Sequence, residues 1–335
     1  MTTASSDRTH QYQRWRSEAA TSHWTWPAIA LNGITLSLKH TKTRVLVLTS
    51  GTMMLTAVGL FYAISVLEAL VGTEEAKGLY DFLHVILKID ISGITRLAEY
   101  RDILWRTTFL MVIKLQFVWV LLIVARIGAG LIANDLKSRA LPIYFAKPVT
   151  PATYLLGKWA VVASFVAFVM LIPDLISLCL GAVLTGGPGT TGQILRLGAD
   201  LLLSGVMVCV VSGAIILALS SIASDQRYVT VGWVAICVLP IFAQKIINDS
   251  LPPEATSGWL GCVSLYNDLT VATEWLLGIR KGLEATSLPV ERFAQAFGRP
   301  IDPAKAATVL GVLTLTAVIF SWRRVVRYSR MAASA

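Results

Sequence analysis

The sequence predicts an all-α polytopic membrane protein with six transmembrane helices, an N-terminal amphipathic interface helix and a helical extracytoplasmic segment before the last span. Three observations carry that reading. Of 335 residues, 55% are apolar and only 15% charged, and the mean hydropathy is +0.66. A soluble domain of this size needs far more polar side chains to cover its surface. The apolar residues fall in several runs of about 20 or more, the length that crosses a hydrocarbon core. The net charge of +9 is concentrated in short segments flanking those runs, which points to topology and anionic headgroups and away from a nucleic-acid partner.

The elements follow in order. Residues 1–22 are polar, have no apolar signal-peptide core, and read as a disordered cytoplasmic tail; 23–330 read as a single transmembrane domain. In "HWTWPAIALNGITLSLKHTKTRV", Trp24 and Trp26 favour an interface. Ile29, Leu31, Ile34 and Leu38 fall mostly on one helical side, and Lys39, Lys42 and Arg44 close it, the pattern of a helix lying flat in the headgroup region. Pro27 and Gly33 argue against a simple extension of the first span. The spans are expected near 45–71, 107–132, 152–183, 197–223, 228–247 and 306–322. An even number puts the basic N-terminal flank, the loop bearing Lys137, Arg139 and Lys147, and the tail bearing Arg323, Arg324, Arg327 and Arg330 on one face, the cytoplasm. On the other side, about 35 residues after span one contain a short helical pattern. About 60 residues after span five contain two or three, expected to fold as a cap or to dip partway into the bilayer. Asp302-Pro303 gives the last helix an N-cap and first-turn proline.

The loop between spans two and three holds more than a chain reversal requires. Residues 132–146 are expected to form one short helix, started by Asn134 and Asp135 and stopped by Pro148 and Pro151. It presents Asp135, Lys137, Arg139, Tyr144 and Phe145, an apolar knob with a charged rim of the kind that docks on a partner. The following "AKPVTPATYLLGKW" resembles the signature of type-2 ATP-binding-cassette (ABC-2) permeases, through Pro148-Val149 and Tyr154-Leu155-Leu156-Gly157-Lys158. Two positions depart from it: Asp135 stands near the usual glutamate and Ala140 where glycine is common. The whole layout is also similar. The resemblance implies that this loop is a coupling helix seated on a separate ATPase dimer, with those five residues in contact. It further implies that a second permease subunit, identical or homologous, completes a substrate route in the plasma (inner) membrane. ATP and Mg would be bound by the partner. No G-x-x-x-x-G-K-[ST] occurs in this chain, and Gly157-Lys158 is followed by Trp159, so no enzyme activity and no cofactor are expected of it.

A second constellation is charge inside the spans. Lys114, Asp174 and Asp200 are expected at similar depth, with Lys114 paired to one of the aspartates, because an unpaired charge there costs a few kcal/mol. Arg126 is expected to snorkel. Cys179, Cys209, Cys237 and Cys262 have no metal or redox spacing, and the four histidines are scattered, so no metal site and no hydrolytic triad is expected. Two other classes compete with the exporter reading: an ion-driven secondary transporter, which calls for matched broken helices and buried acids, and a membrane anchor or scaffold for a soluble partner.

Overall fold

The computed structural model describes residues 25–70, 73, 76–87, 100–145, 149–252, 257–286 and 301–334; the expected tail 1–22, Trp24, Lys147 and Pro148 lie outside them. Among the described residues the chain is helical throughout, with no strand. The helices are α1 (Thr25–Lys39), α2 (Thr41–Ser50), α3 (Thr52–Leu70), α4 (Ala76–Leu87), α5 (Arg101–Ile127), α6 (Gly130–Lys137), α7 (Leu141–Phe145), α8 (Pro151–Val166), α9 (Ile172–Thr185), α10 (Thr191–Ile222), α11 (Gln226–Ser250), α12 (Leu265–Leu276), α13 (Ile279–Thr286) and α14 (Pro303–Ser334).

Among the described residues six stretches are long and apolar enough to cross a membrane: Thr41–Leu70, Arg101–Lys137, Pro151–Thr185, Thr191–Ile222, Gln226–Ser250 and Pro303–Met331. This is the architecture of a multi-pass membrane protein. Each expected span has its counterpart, and the differences lie at the ends. The second begins at Arg101, six residues before the hydropathic edge, because Arg101 and Arg106 find carboxylates there. The third, at 1.5 Å per residue, is about 50 Å long, well beyond the ~30 Å hydrocarbon core.

Local chemistry sets the boundaries. Thr150 and Thr153 form a reciprocal capping box at the start of α8, and Thr190 and Gln193 do the same for α10. Asp225 accepts from the Arg227 N–H ahead of α11, and Asp302 accepts from the Ala304 N–H ahead of α14, as expected of Asp302-Pro303. Between α8 and α9 the helix widens to a π turn over Ala167–Leu171. Pro173 follows directly; it has no N–H and crowds the carbonyl four residues back, so the ladder changes register ahead of it.

α1 is neither an isolated helix nor a straight continuation of the first span, since His40 is extended at φ −79°, ψ 122° between α1 and α2. It runs beside α8 in the same direction. A side chain on Gly157 would sit 2.8 Å from Ile29, and one on Gly33 2.5 Å from Val161. Those two glycines let the backbones close up, the small-residue device of membrane helices. Gly33, read as arguing against a continuous rod with the first span, lies inside α1 as a packing position; the break between α1 and α2 comes at His40.

Deep in the bundle, Phe61 of α3 stacks on Trp105 of α5 with ring centroids 4.0 Å apart. α12 is inserted among the spans rather than laid across their ends. Tyr266 meets Phe117 edge-on at 5.6 Å and the Leu277 carbonyl meets Arg106, so α12 runs antiparallel to α5, buried from Asp268 to Glu274. Of the segment expected to cap the spans or to dip partway into the bilayer, the described part packs beside α5.

Candidate functional site

The reversal between the second and third spans is the most heavily organised loop. α5 ends at Ile127, and the chain re-forms as α6 after Gly128 and Ala129. Fully buried Ser220 of α10 secures that junction. Its Oγ accepts from the Ile132 and Ala133 N–H groups, both at 3.0 Å, and donates to the Ala129 carbonyl at 2.9 Å. Donors at the start of α6 that would otherwise lack partners are satisfied across the bundle.

The expected single helix over 132–146 is two pieces. α6 stops at Lys137, the chain turns through Ser138–Ala140, and α7 covers only Leu141–Phe145. Arg139 makes the turn with φ +52°, the one left-handed non-glycine among the described residues. Glycine is the residue that takes this conformation freely.

Asp135 does not start a helix. It lies in the last turns of α6 and faces inward, where Oδ2 takes the Lys158 ammonium at 2.7 Å and the Tyr154 hydroxyl at 2.7 Å. Both partners belong to α8, so one carboxylate joins the two sides of the reversal. Tyr144 and Phe145 pack on the same Tyr154, at centroid distances of 5.4 and 5.9 Å. Lys158 Nζ also lies 5.4 Å from the Tyr154 ring centroid, an added cation–π contact. Burial, reinforced by the Asp135 charge, raises the Tyr144 phenol above its ordinary value and keeps it neutral. Leu141, Ile132, Leu217 and Val325 complete a small core beneath the loop.

Of the five candidate loop residues, Lys137 and Arg139 are exposed, Tyr144 and Phe145 are half-buried against Tyr154, and Asp135 is an internal brace. The Lys137 side chain is 66% exposed and reaches Asp225 at 3.5 Å; Asp225 is held below the usual carboxylate range chiefly by the Arg227 N–H and then by Lys137. Sequence reasoning missed an exposed apolar residue on this loop. Ile143 is 66% exposed, an apolar side chain on a rigid, basic loop. Its neighbours drew attention because aromatic knobs are common anchors, and nothing in the local pattern told which of the three faced out.

The intramembrane charges are not one cluster. Asp200 pairs with Arg106 at 2.8 Å, and Arg106 also binds Asp102 at 2.8 Å and the Leu277 carbonyl. Asp174 is buried and accepts from Gln116 Nε2 at 2.8 Å. Arg106 and Gln116 are ten residues apart on α5, about 15 Å along its axis, so the two aspartates lie at different levels. Glu274 of α12, itself paired with Arg280, is a carboxylate whose charge acts on Lys114. Burial raises the Glu274 carboxyl against the opposing pull of Arg280 and Lys114. Arg126, expected to snorkel, lines an internal cavity with Asn134, Asp135 and Lys158. Among the described residues no group of three or more His, Cys, Asp or Glu side chains is arranged to hold a metal ion.

No protein-family model matches the chain, and no curated protein is measurably similar to it.

Proposed function

We propose that the chain is the permease subunit of a type-2 ATP-binding-cassette exporter. ATP and Mg are bound by a separate ATPase dimer, and a second permease subunit, identical or homologous, completes the substrate route. The protein lies in the plasma (inner) membrane with both termini in the cytoplasm. The side bearing Lys137, Arg139, Arg227, Arg323 and Arg327 is the basic one, as the positive-inside rule requires.

The observation that supports this most is the braced reversal. A loop that only returns the chain has no need of a buried ion pair to the next span, a serine clamp from a third, and an aromatic packing core beneath it. A loop that receives force does. With Asp135 bonded to Lys158 and Tyr154, a push on Ile143, Lys137 or Arg139 is delivered to the first two turns of α8 instead of being absorbed by local bending. Closure of the ATPase pair on ATP then becomes rigid-body tilting of the spans. Ile143 is the apolar contact, with Lys137 and Arg139 as its rim; Asp135, Tyr144 and Phe145 act as the mount.

The test is reconstitution of the full chain with ATP-binding-cassette ATPase subunits encoded beside it. Ile143→Asp combined with Lys137→Glu and Arg139→Glu is expected to lower permease-stimulated ATP hydrolysis at least tenfold while the permease stays folded. Unchanged binding and stimulation in this triple variant would remove the loop from the docking surface.

One observation favours the ion-driven reading as well: Asp174 is a buried carboxyl inside a span. Proton flux through proteoliposomes lacking any ATPase, abolished by Asp174→Asn, would move the assignment to that class.

A further inference from the structure

Beside the braced loop lies a cavity of about 210 Å³, formed where α1 and α2 meet the α5–α6 junction, α7, α8 and the start of α11. Its volume equals that of roughly seven waters at ~30 Å³ each. Unlike the larger clefts along the spans, its walls are polar. Arg126, Lys158, His40, Asn32, Asn134 and Gln226 contribute, together with three hydroxyl side chains. Asp135 is the only carboxylate in the lining, and Lys158 and the Tyr154 hydroxyl already occupy it.

The charge balance is therefore uneven. Lys158 and Asp135 cancel. Arg126 has no ion-pair partner among the described residues, and the half-buried arginine lines the cavity with its charge uncompensated. The amides beside it are held in place. Gln226 Nε2 donates to the Arg126 carbonyl at 3.3 Å, and Gly130 makes room for both amide side chains, since a Cβ there would lie 2.7 Å from Asn134 and 2.9 Å from Gln226. A donor-rich pocket with one free guanidinium suits a ligand that carries negative charge and only accepts hydrogen bonds. A phosphate meets that description, and the guanidinium fork matches two of its oxygens.

We propose that this cavity binds a phosphate group, carried either by an anionic phospholipid headgroup or by a small soluble phosphate. The walls come from α1 on one side and from the loop helices on the other, so an occupant ties the N-terminal helix to the reversal. The proposal does not depend on the exporter reading.

The full chain, purified in neutral detergent, tests it by thermal unfolding and by native mass spectrometry. Four probes are used: phosphatidylglycerol, diacylglycerol as the phosphate-free analogue, glycerol 3-phosphate and inorganic phosphate. Phosphatidylglycerol is expected to bind at least tenfold more tightly than diacylglycerol and to raise the midpoint, and Arg126→Gln to abolish both effects. Protection by glycerol 3-phosphate or inorganic phosphate that vanishes in Arg126→Gln identifies the soluble source and equally supports the site. Asn32→Trp, which fills the cavity from the exposed face of α1 and removes no charge, is expected to lose binding too. It decides the matter if Arg126→Gln does not fold. Arg323→Gln, on the C-terminal helix, is expected to bind normally. Binding unchanged in Asn32→Trp, no Arg126-dependent binding of any phosphate probe, or an equal loss in Arg323→Gln would overturn the proposal.

Discussion

The two ends of the helical bundle solve the same problem by different means. At the loop end, a short reversal is held by one buried ion pair, Asp135–Lys158, set in an aromatic and aliphatic core, while the surrounding surface is basic. At the opposite end, where α12 and α13 are inserted, the joints are arginine–carboxylate pairs: Arg101 with Glu68 and Arg106 with Asp200 join elements far apart in sequence, Arg280 with Glu274 joins α13 to α12, and Arg106 with Asp102 lies within α5. There the charges nearly balance. One end is a stiff bracket with a cationic outer face, suited to gripping something. The other is an inward-facing lattice, suited to holding extra helices between spans. At the loop end one ion pair works with the Ser220 clamp and the aromatic core, whereas at the far end several ion pairs share the load.

The difference is sharpest where a joint is cut. Arg106→Ala is expected to have the largest effect of any single change, about 3–5 kcal/mol. It leaves two carboxylates and the Leu277 carbonyl without their shared donor, and removing one member of a buried pair strands the rest. Denaturant unfolding in mixed micelles measures the loss, and limited proteolysis near Leu277 should show α12 and α13 released before the spans separate. A loss below about 1 kcal/mol would mean that the far end is held by packing alone.

At the loop end the corresponding cut is smaller and should be recoverable. Asp135→Asn and Lys158→Met are each expected to cost roughly 2–3 kcal/mol, and the double variant less than their sum by about 1–3 kcal/mol, because each single change leaves the other charge stranded. The exposed Lys137–Asp225 pair serves as the internal contrast, since Lys137→Ala is expected to cost well under 1 kcal/mol. Strict additivity across Asp135 and Lys158 would show that the bracket is not a joint at all.

How much of this was legible in the sequence depends on which physics decides it. Hydropathy located all six long apolar helices, because crossing hydrocarbon is a property of each segment by itself. One cap was legible for the same reason: Asp302-Pro303 marks the start of α14, while Asn134 and Asp135, expected to start the loop helix, lie near the end of α6. Pairing was not, because it depends on how the helices are rotated about their axes. Lys114 was matched with Asp174 or Asp200 by depth, yet Asp174 is satisfied by Gln116, a neutral residue that a count of charges passes over. Ser220 lies in an apolar run, and only the bundle brings it against the first turn of α6. The loop helix was expected to be continuous, yet Pro142 lies inside 132–146; it offers no N–H and crowds the preceding turn, so α7 restarts at Leu141 with Pro142 in its first turn. The break was therefore legible locally, and Leu141 and Tyr144 pack inward beside Tyr154.

The inserted helix makes a prediction in pH. Asp268 of α12 is buried with neither carboxylate oxygen hydrogen-bonded among the described residues, and burial pushes its carboxyl up to about 7. In the unfolded chain it titrates near ~3.9. Between those values the folded state keeps a proton that the unfolded state has released. Stability therefore falls as pH rises through that window, by at most about 1.4 kcal/mol per pH unit, and levels off above pH 7. Asp268→Asn is expected to flatten this dependence and raise the midpoint at pH 8. The loop end, read through an Asn at position 225, is expected to respond in the opposite sense. Asp225 has its folded value depressed, so its contribution is present above the unfolded value and is lost only in acid.

The smallest expected effect tests the shape of the loop most directly. Arg139 occupies the left-handed region at φ +52°, which costs an L-residue roughly 1–2 kcal/mol and glycine almost nothing. Glycine carries its own penalty of about 0.4–1 kcal/mol from the added freedom of the unfolded chain. Arg139→Gly should therefore come out more stable than Arg139→Ala by about 0.5 kcal/mol, since alanine keeps the strain and glycine relieves it. Inside a continuous helix the order reverses, and glycine is worse than alanine by about 1 kcal/mol. The sign of the Gly–Ala difference at this one position, read by unfolding in mixed micelles, thus distinguishes a turn between two short helices from a single rod over 132–146. If alanine is the more stable, the bracket is a rod, and the force path through Asp135 and Tyr154 has to be redrawn along its whole length.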